Sequence, residues 1–315
     1  MRTYFIRRLL LMIPTLLGVS ILVFSMVRFL PGDVIDQMMA EYRISVESEQ
    51  ELRAKLGLDR PLPVQYVSWM GDVLQGDLGA SLRSDRGVLW ELRQRLPATL
   101  QLGMMAILFS LTIALPIGVI SALKQDTWID YAARSFSIFA LSAPSFWLGI
   151  LVITFPAIWW QWSPPVGYRS LWDDPVKNLQ MMILPAAILG LVTNGTVMRL
   201  TRAQMLEVMR QDYIRTAWAK GLRGRSVVIR HAMKNAFIPV VTVIGLQIPI
   251  LVGGSVVMET IFSIPGTGTY LIQAIQNRDY PVIQGVNLLV ATVVIFSNLL
   301  VDMSYGFLDP RVKYR

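Results

Sequence analysis

Residues 9–27 read LLLMIPTLLGVSILVFSMV, a run of 19 residues without a charged side chain. At about 1.5 Å per residue, a helix of this length crosses the ~30 Å hydrocarbon core of a bilayer. Arg2, Arg7 and Arg8 precede the run, as they would in a secretory signal peptide. The run is longer than the usual apolar region of such a peptide (about 7–15 residues), and residues 28–33, RFLPGD, lack a small-x-small cleavage site. We therefore expect an uncleaved membrane anchor.

Five further apolar runs follow, at residues 98–123, 132–160, 181–198, 237–258 and 283–301. Together with the first run they predict an all-α membrane protein with six transmembrane helices. The run 132–160 is too long for one straight crossing and contains Pro144 and Pro156. We expect one tilted or broken helix there, and two half-crossings are the alternative.

The composition excludes several classes of protein. Hydrophobic residues make up 54% of the chain, far too many for a disordered protein, and charged residues only 16%, too few for a soluble nucleic-acid binder despite the net charge of +8. Cysteine is absent and histidine occurs once, at His231, which excludes disulfides, a thiolate nucleophile and metal clusters built from Cys or His. His231 itself is expected at a surface or an interface.

The basic residues are distributed unequally between the two sides of the membrane. If the N-terminus is cytoplasmic, the inside segments carry a net charge of +12 and the outside segments −3, with Asp302 in the last span. Nine Lys and Arg residues fall in one inside segment, from Arg199 to Lys234. The positive-inside rule therefore predicts that both termini are cytoplasmic.

Two segments outside the predicted spans are long enough to form structure. Residues 31–97 predict a small extracytoplasmic lobe between the first two helices, with a helical stretch at 47–56 ended by Gly57 and turns over 72–82. Residues 199–236 predict a helix over 201–220, a stop at Gly221 and a second short helix over 226–235. Physics alone leaves two interpretations of this inside segment: docking in the groove of a partner, or an interfacial helix held by anionic lipid.

Motifs for self-contained chemistry are missing. The chain has no GxxxxGK[ST] loop for ATP and no GxSxG elbow, so a membrane enzyme is disfavoured. Asp302 is the single acidic residue that we place within the predicted spans, whereas an ion-coupled secondary carrier would ordinarily need more. We therefore expect the spans to move against each other with energy supplied from elsewhere.

The inside segment resembles the EAA coupling loop of ABC importer permeases, and most closely that of the dipeptide/oligopeptide branch. The resemblance rests on YIRTAWAKGL at 213–222 and RHAMKNAFIP at 230–239, in which Arg215-Thr216-Ala217 stand where the wider family has Glu-Ala-Ala. Trp218 replaces a common Arg, and the sequence offers no account of it. Further stretches resemble the same branch from end to end, among them FLPGD at 29–33, GDLG at 76–79, SAPSFW at 142–147, ETIFSIPGTG at 259–268 and LDPR at 308–311.

This resemblance implies a type I ABC importer permease fold. It implies a cytoplasmic N-terminus and first helix at 1–30, the lobe at 31–97, a core at 98–305 that includes the coupling loop 199–236, and a cytoplasmic tail at 306–315. The implied partners are a second homologous permease in a heterodimer, two cytoplasmic ATPase subunits, an extracytoplasmic solute-binding protein and the bilayer of a prokaryotic inner membrane. ATP and Mg would bind to the ATPases, with no cofactor or metal on this chain and no nucleic-acid partner.

The resemblance also implies roles for particular residues. Residues that couple to the ATPase would be Tyr213, Arg215, Thr216, Ala217, Gly221 and Leu222. Contact with the binding protein or an outer gate would involve Asp77, Gly79, Glu259, Phe262, Pro265 and Gly266. Candidates for the pathway are Ser142, Ser145, Gln247 and Ser255. The implied solute is a di- or oligopeptide, with nickel chelates, glutathione or sugars as alternatives.

Overall fold

The computed structural model describes residues 2–29, 53–54 and 57–308, and regular structure in these residues is helical. Ala80 and Gly87 form an isolated antiparallel bridge. A π-helix, Val227–Ala232, follows the single turn Gly224–Ser226 and leads into the helix that begins at Met233. The helices are α1 (Arg2–Arg28), α2 (Leu62–Leu74), α3 (Val88–Leu123), α4 (Trp128–Ser142), α5 (Ser145–Trp160), α6 (Pro175–Met209), α7 (Asp212–Ala219), α8 (Met233–Ile261), α9 (Thr267–Gln276) and α10 (Tyr280–Leu308).

Five helical segments are long and apolar enough to cross a membrane: Arg8–Arg28, Val88–Leu123, Pro175–Met209, Gly224–Ile248 and Tyr280–Val301. Helices α4 and α5 form a sixth candidate together, bent by 95° at their junction. The break lies at Ala143, which is extended (φ −78°, ψ 118°), because the ring of a following proline disfavours helical backbone in the preceding residue. The break expected in the run 132–160 is therefore confirmed, and a bend of this size fits either one broken span or two half-crossings.

Three local expectations need correction, and others fall outside the description. The helix predicted over 201–220 is wrong, because α6 ends at Met209 and Gln211 is extended (φ −72°, ψ 147°) before α7 begins. The short helix predicted over 226–235 is also wrong, because that stretch is the beginning of a helix that continues to Ile261. Helix α2 extends to Leu74, into the turns expected over 72–82. Most of the stretch 47–56 and the side chain of Asp302 lie outside the described residues.

The chain divides into two compact units. The first unit comprises Met1–Phe5, Ala98–Ile264 and Phe296–Arg315. Part of its core holds α3, α6 and α8 together, with Leu102, Met182 and Met258 fully buried. Backbones approach closely in this unit at Gly190, where an added Cβ would lie 2.7 Å from the carbonyl oxygen of Ala106.

The second unit comprises Ile6–Pro97 and Pro265–Ile295. Its core is built around Val27, Val88, Leu92 and Val286. The described part of the predicted lobe 31–97 therefore packs with residues that lie almost 200 positions later in the chain, as the hydrogen bond from Ser81 to Asp279 shows (2.5 Å).

Candidate functional site: the coupling segment and its supports

Helix α7 is anchored by its two buried side chains. Ile214 is fully buried and Ala217 is only 6% exposed. The hydroxyl of Tyr213 also accepts a hydrogen bond from the side-chain amide of Asn235 (2.8 Å). Helix α7 therefore packs against the ends of three long helical segments. The buried residues that pack with Ile214 and Ala217 are Val119 and Ala122 of α3, Met205 and Val208 of α6, and Val227, Ala232 and Ala236.

Gly221 ends α7 in a specific backbone geometry. Its φ is +73°, and the amide of Leu222 donates to the carbonyl of Ala217 (3.4 Å) while the amide of Gly221 donates to that of Trp218 (2.9 Å). These two bonds form the Schellman arrangement, in which the residue after the helix takes the left-handed conformation that glycine adopts at least cost. No atom lies within 4 Å of a Cβ added at Gly221. Within this chain, the position is therefore constrained by its backbone conformation and not by space.

Two large apolar side chains of α7 and one just beyond Gly221 remain partly exposed, and the two on α7 flank its buried residues, because Tyr213 and Trp218 lie about 140° apart around the helix axis. Tyr213 is 42% exposed, Trp218 46% and Leu222 38%. Trp218, which the sequence left unexplained, lies over Gly224, where an added Cβ would come 3.2 Å from its ring. Arg215 and Thr216 are also exposed, and Arg215 faces Asp212 at 3.4 Å. We name Tyr213, Trp218 and Leu222 the coupling surface.

A buried ion pair beside this anchor was missed by the sequence analysis. Asp130 of α4 is fully buried and accepts hydrogen bonds from Nε and one terminal nitrogen of Arg202 (both 2.7 Å). The Ser121 hydroxyl (2.5 Å) and the Asp126 amide (3.1 Å) also donate to this carboxylate. The sequence places Asp130 in a loop, whereas α4 begins at Trp128, four residues before the apolar run. The available signal was Arg202 itself, a cation within a helix apolar enough to cross a membrane.

Glu259 is buried near the end of α8. It is fully buried and accepts hydrogen bonds from the hydroxyls of Thr99 (2.7 Å) and Ser255 (3.1 Å). Phe262, just beyond the helix, is 6% exposed and belongs to the core formed with α3 and α6. These two predicted gate residues therefore lie inside the first unit and not on its surface.

The other predicted outer residues belong to the second unit. The carboxylate of Asp77 accepts a hydrogen bond from the amide of Gly79 (2.8 Å), whose φ is +81°. Pro265 is exposed and Gly266 is buried at the start of α9, where the Gly266 carbonyl accepts from the amide of Tyr270 (3.3 Å). Asp77 and Gly79 line a cavity of about 530 Å³, together with Arg28, Arg60 and Asp72 among others.

The pathway candidates occupy different environments. Ser255 is committed to Glu259, and Gln247 is 8% exposed. Ser142 and Ser145 flank the break between α4 and α5, and Ser142 is exposed. In the described residues, no group of three or more His, Cys, Asp or Glu side chains could hold a metal ion.

Comparison with known proteins identifies the family. Residues 114–314 match the family described as "Binding-protein-dependent transport system inner membrane component", and residues 1–103 match the N-terminal family that accompanies it. The chain belongs to this family of ABC importer permeases. It is a multi-pass inner-membrane protein, a non-catalytic transport subunit of a system that also has ATPase and binding-protein components.

Individual relatives are similar over their whole length. The chain is 41% identical to the dipeptide transport system permease protein DppB of Escherichia coli K12, and 42% identical to the di/tripeptide transport system permease protein DppB of Pseudomonas aeruginosa. Both comparisons cover 100% of this chain and 100% of the relative. A structure of the inward-facing MetNI methionine ABC transporter shares the fold, with a TM-score of 0.56 at 19% identity over 70% of this chain and 97% of that one. The predicted type I permease fold is therefore confirmed.

Proposed function

We propose that this chain forms half of the translocation path of an ATP-driven importer of di- or oligopeptides. The observation that carries the solute class is the full-length identity of 40–42% to permeases named for dipeptide, di/tripeptide or peptide transport. The other half would be a second homologous permease in a heterodimer. Two ATPase subunits would bind ATP and Mg, and an extracytoplasmic binding protein would deliver the peptide. Both termini would be cytoplasmic, with the lobe at 31–97 outside and the core at 98–305.

The coupling surface is the part of this chain that would dock on an ATPase subunit. Its three exposed side chains lie beside Ile214 and Ala217, which pack against the long helices, so force applied to the surface would reach those helices. Buried Ala217 would support the docking helix, whereas Tyr213 and Leu222 would enter the ATPase groove with Trp218. Aromatic side chains that enter a groove commonly dominate binding energy at interfaces.

The test is the affinity of the permease for its ATPase, combined with peptide uptake by the reconstituted importer. Trp218→Ala should weaken ATPase binding about 30-fold or more, because a buried aromatic anchor contributes roughly 2 kcal/mol or more. Trp172→Ala is the matched control, since Trp172 is 89% exposed and lies before α6, far along the chain from α7. Equal effects of the two variants would contradict the assigned docking role.

Gly221 provides a second test that separates backbone geometry from docking. Asparagine tolerates the left-handed conformation, and nothing in this chain obstructs a side chain there, so Gly221→Asn should preserve the folded protein. If Gly221 approaches the ATPase closely, the same variant should hydrolyse ATP without transporting peptide. Full uptake by Gly221→Asn would show that the residue only ends a helix.

On the outer side, we propose that the rim of the second-unit cavity meets the binding protein. Asp77 and Gly79 belong to this rim, and Asp72 adds an exposed carboxylate. Asp72→Lys should reduce stimulation of ATP hydrolysis by the loaded binding protein, whereas Asp173→Lys, at another exposed acid, should not. The remaining outer candidates would act as parts of an outer gate: Glu259, Phe262, Pro265 and Gly266.

The break between α4 and α5 supports a pathway role for Ser142 and Ser145. Non-helical backbone at membrane depth is tolerated where it is covered by protein or lines a water-filled cavity, but not against lipid. Cysteine at either position should therefore react with a small water-soluble thiol reagent in the assembled importer. Gln247 and Ser255 would lie deeper, and their cysteine variants should react only during turnover.

A further inference from the structure

A groove with three arginines runs between α4 and α6 in the first unit. Helices α4 and α6 are antiparallel, because Asp130 contacts Arg202 at one level while Ser137 donates to the Gly195 carbonyl (2.9 Å) at another. Side chains of both helices can therefore be assigned to successive levels along the groove. The groove has a volume of about 700 Å³ and is lined by Arg134, Ile138, Thr196, Arg199, Leu200, Arg202 and Ala203.

The first level of the groove holds an ion pair, and the second level holds two arginines. The guanidinium of Arg202 is paired with the buried carboxylate of Asp130. Arg134 and Arg199 each lie one helical turn further along, roughly 4.5–6 Å toward Ser137 and Gly195. Within the described part of the chain, neither has a carboxylate within 4.0 Å, and Arg134 instead stacks on Tyr131 (4.7 Å from the ring centre). Arg134 and Arg199 are therefore two cations of the groove that no carboxylate of the described residues neutralises.

The surroundings of these two arginines change from interfacial to apolar. Trp128 and Tyr131 are 77% and 51% exposed at the start of α4, as aromatic residues are at the boundary between membrane and water. One turn beyond Arg134, Ile138 is 61% exposed and lines the same groove. Along α4, aromatic side chains are thus followed by a cation and then by an apolar surface. A bound phospholipid would need the same order: the membrane interface, then its phosphate, then its acyl chain.

We propose that this groove binds one anionic phospholipid, with its phosphate between Arg134 and Arg199 and an acyl chain along Ile138. Basic pockets between transmembrane helices recognise anionic headgroups in this way. The occupied leaflet would be the cytoplasmic one, given the proposed orientation. The lipid would sit beside the Asp130–Arg202 pair and would stabilise the junction of α4 and α6, independently of which solute is transported.

The experiment compares lipid binding to the full-length permease in its assembled importer by native mass spectrometry. The probes are dioleoylphosphatidylglycerol and dioleoylphosphatidylcholine. The intact protein should retain the anionic lipid preferentially. Arg134→Gln/Arg199→Gln should bind it about 30-fold more weakly, which corresponds to the roughly 2 kcal/mol that two basic groups contribute to binding of an anionic lipid. Arg134→Lys/Arg199→Lys should retain most of the preference.

The controls separate this site from general basicity and from other occupants. Lys124→Gln/Arg210→Gln removes the same charge at positions outside the groove and should leave the preference unchanged. Equal losses in both Gln pairs would overturn the site. Displacement by glycerol 3-phosphate at concentrations equal to the lipid would overturn the acyl contact. An unchanged lipid preference in Arg134→Gln/Arg199→Gln would also refute the proposal.

Discussion

Replacing Asp130 by asparagine removes a negative charge from a carboxylate that has no contact with water. Asp130 is fully buried and accepts four hydrogen bonds, two of them from Arg202, whose side chain is 19% exposed. The side-chain amide introduced by this change would direct a donor at another donor and leave the guanidinium without a counter-charge. Breaking one side of such a pair costs about 3–5 kcal/mol, so Asp130→Asn should lose a large part of a typical unfolding free energy.

The assay is a double-mutant cycle on the purified permease, unfolded chemically in detergent micelles and followed by circular dichroism. Arg202→Met should cost a similar amount, since it leaves a buried carboxylate with only Ser121 and the Asp126 amide as donors. Asp130→Asn/Arg202→Met should be more stable than the sum of the single changes implies, by about 2 kcal/mol or more, because no unpaired charge remains.

The matched control is Asp212→Asn, which removes an acid from the exposed pair with Arg215 (3.4 Å). Solvent-exposed pairs contribute little, so its unfolding transition should coincide with that of the unmodified protein. A loss below about 1 kcal/mol for Asp130→Asn, or strictly additive losses in the cycle, would refute the reasoning.

Three further predictions test other parts of the structure. Gly195→Ala should destabilise the first unit by about 1–3 kcal/mol in thermal unfolding. The added Cβ would lie 2.6 Å from Cγ of Leu141 and 2.7 Å from the Ser137 carbonyl oxygen. Gly18→Ala, with open space around it, should not destabilise the protein. Burial, with the negative charges of Glu91 and Asp279, raises the pKa of Tyr270 from 10.0 to about 12. The stability that this shift contributes is therefore full below about pH 10 and falls as the pH rises towards 12. Tyr270→Phe should accordingly flatten the alkaline limb of a curve of unfolding free energy against pH. An unchanged limb would refute this. Asp279→Asn weakens the bonds from Ser81 and the Leu82 amide and should lower the free energy of chemical unfolding by about 1.5–3 kcal/mol, whereas an unchanged value would show that neutral hydrogen bonds suffice.

The spans could be predicted from the sequence because each is a local property. A run such as 283–301 is apolar over enough residues to cross a bilayer, whatever it packs against. Pro144 likewise indicated where α4 and α5 separate, since its effect on Ala143 is confined to neighbouring atoms. Gly221 indicated the end of α7 for the same reason, and its φ of +73° confirms it.

The rest depends on contacts between distant parts of the chain. No Gly or Pro marks the break at Gln211 in the sequence. The break lets Ile214 and Ala217 pack into a buried cluster with residues of three other helical segments. Asp130 and Arg202 are 72 positions apart, so no local pattern connects them. Trp218 could not be interpreted until its ring was seen over Gly224. Tertiary packing, and not the local sequence pattern, determines the break at Gln211, the ion pair and the position of Trp218.

The separation of Asp130 from Arg202 has a consequence for how the protein is made. At synthesis rates of about 5–20 residues per second, the ribosome needs roughly 4–14 s to pass from Asp130 to Arg202, a separation of 72 positions. During that interval Asp130 lacks its cation, and its place in the first turn of α4 allows the carboxylate to remain in water. Insertion of α6 then supplies the guanidinium. The ion pair can therefore close only after Arg202 has been synthesised, so the order of synthesis limits the order of assembly.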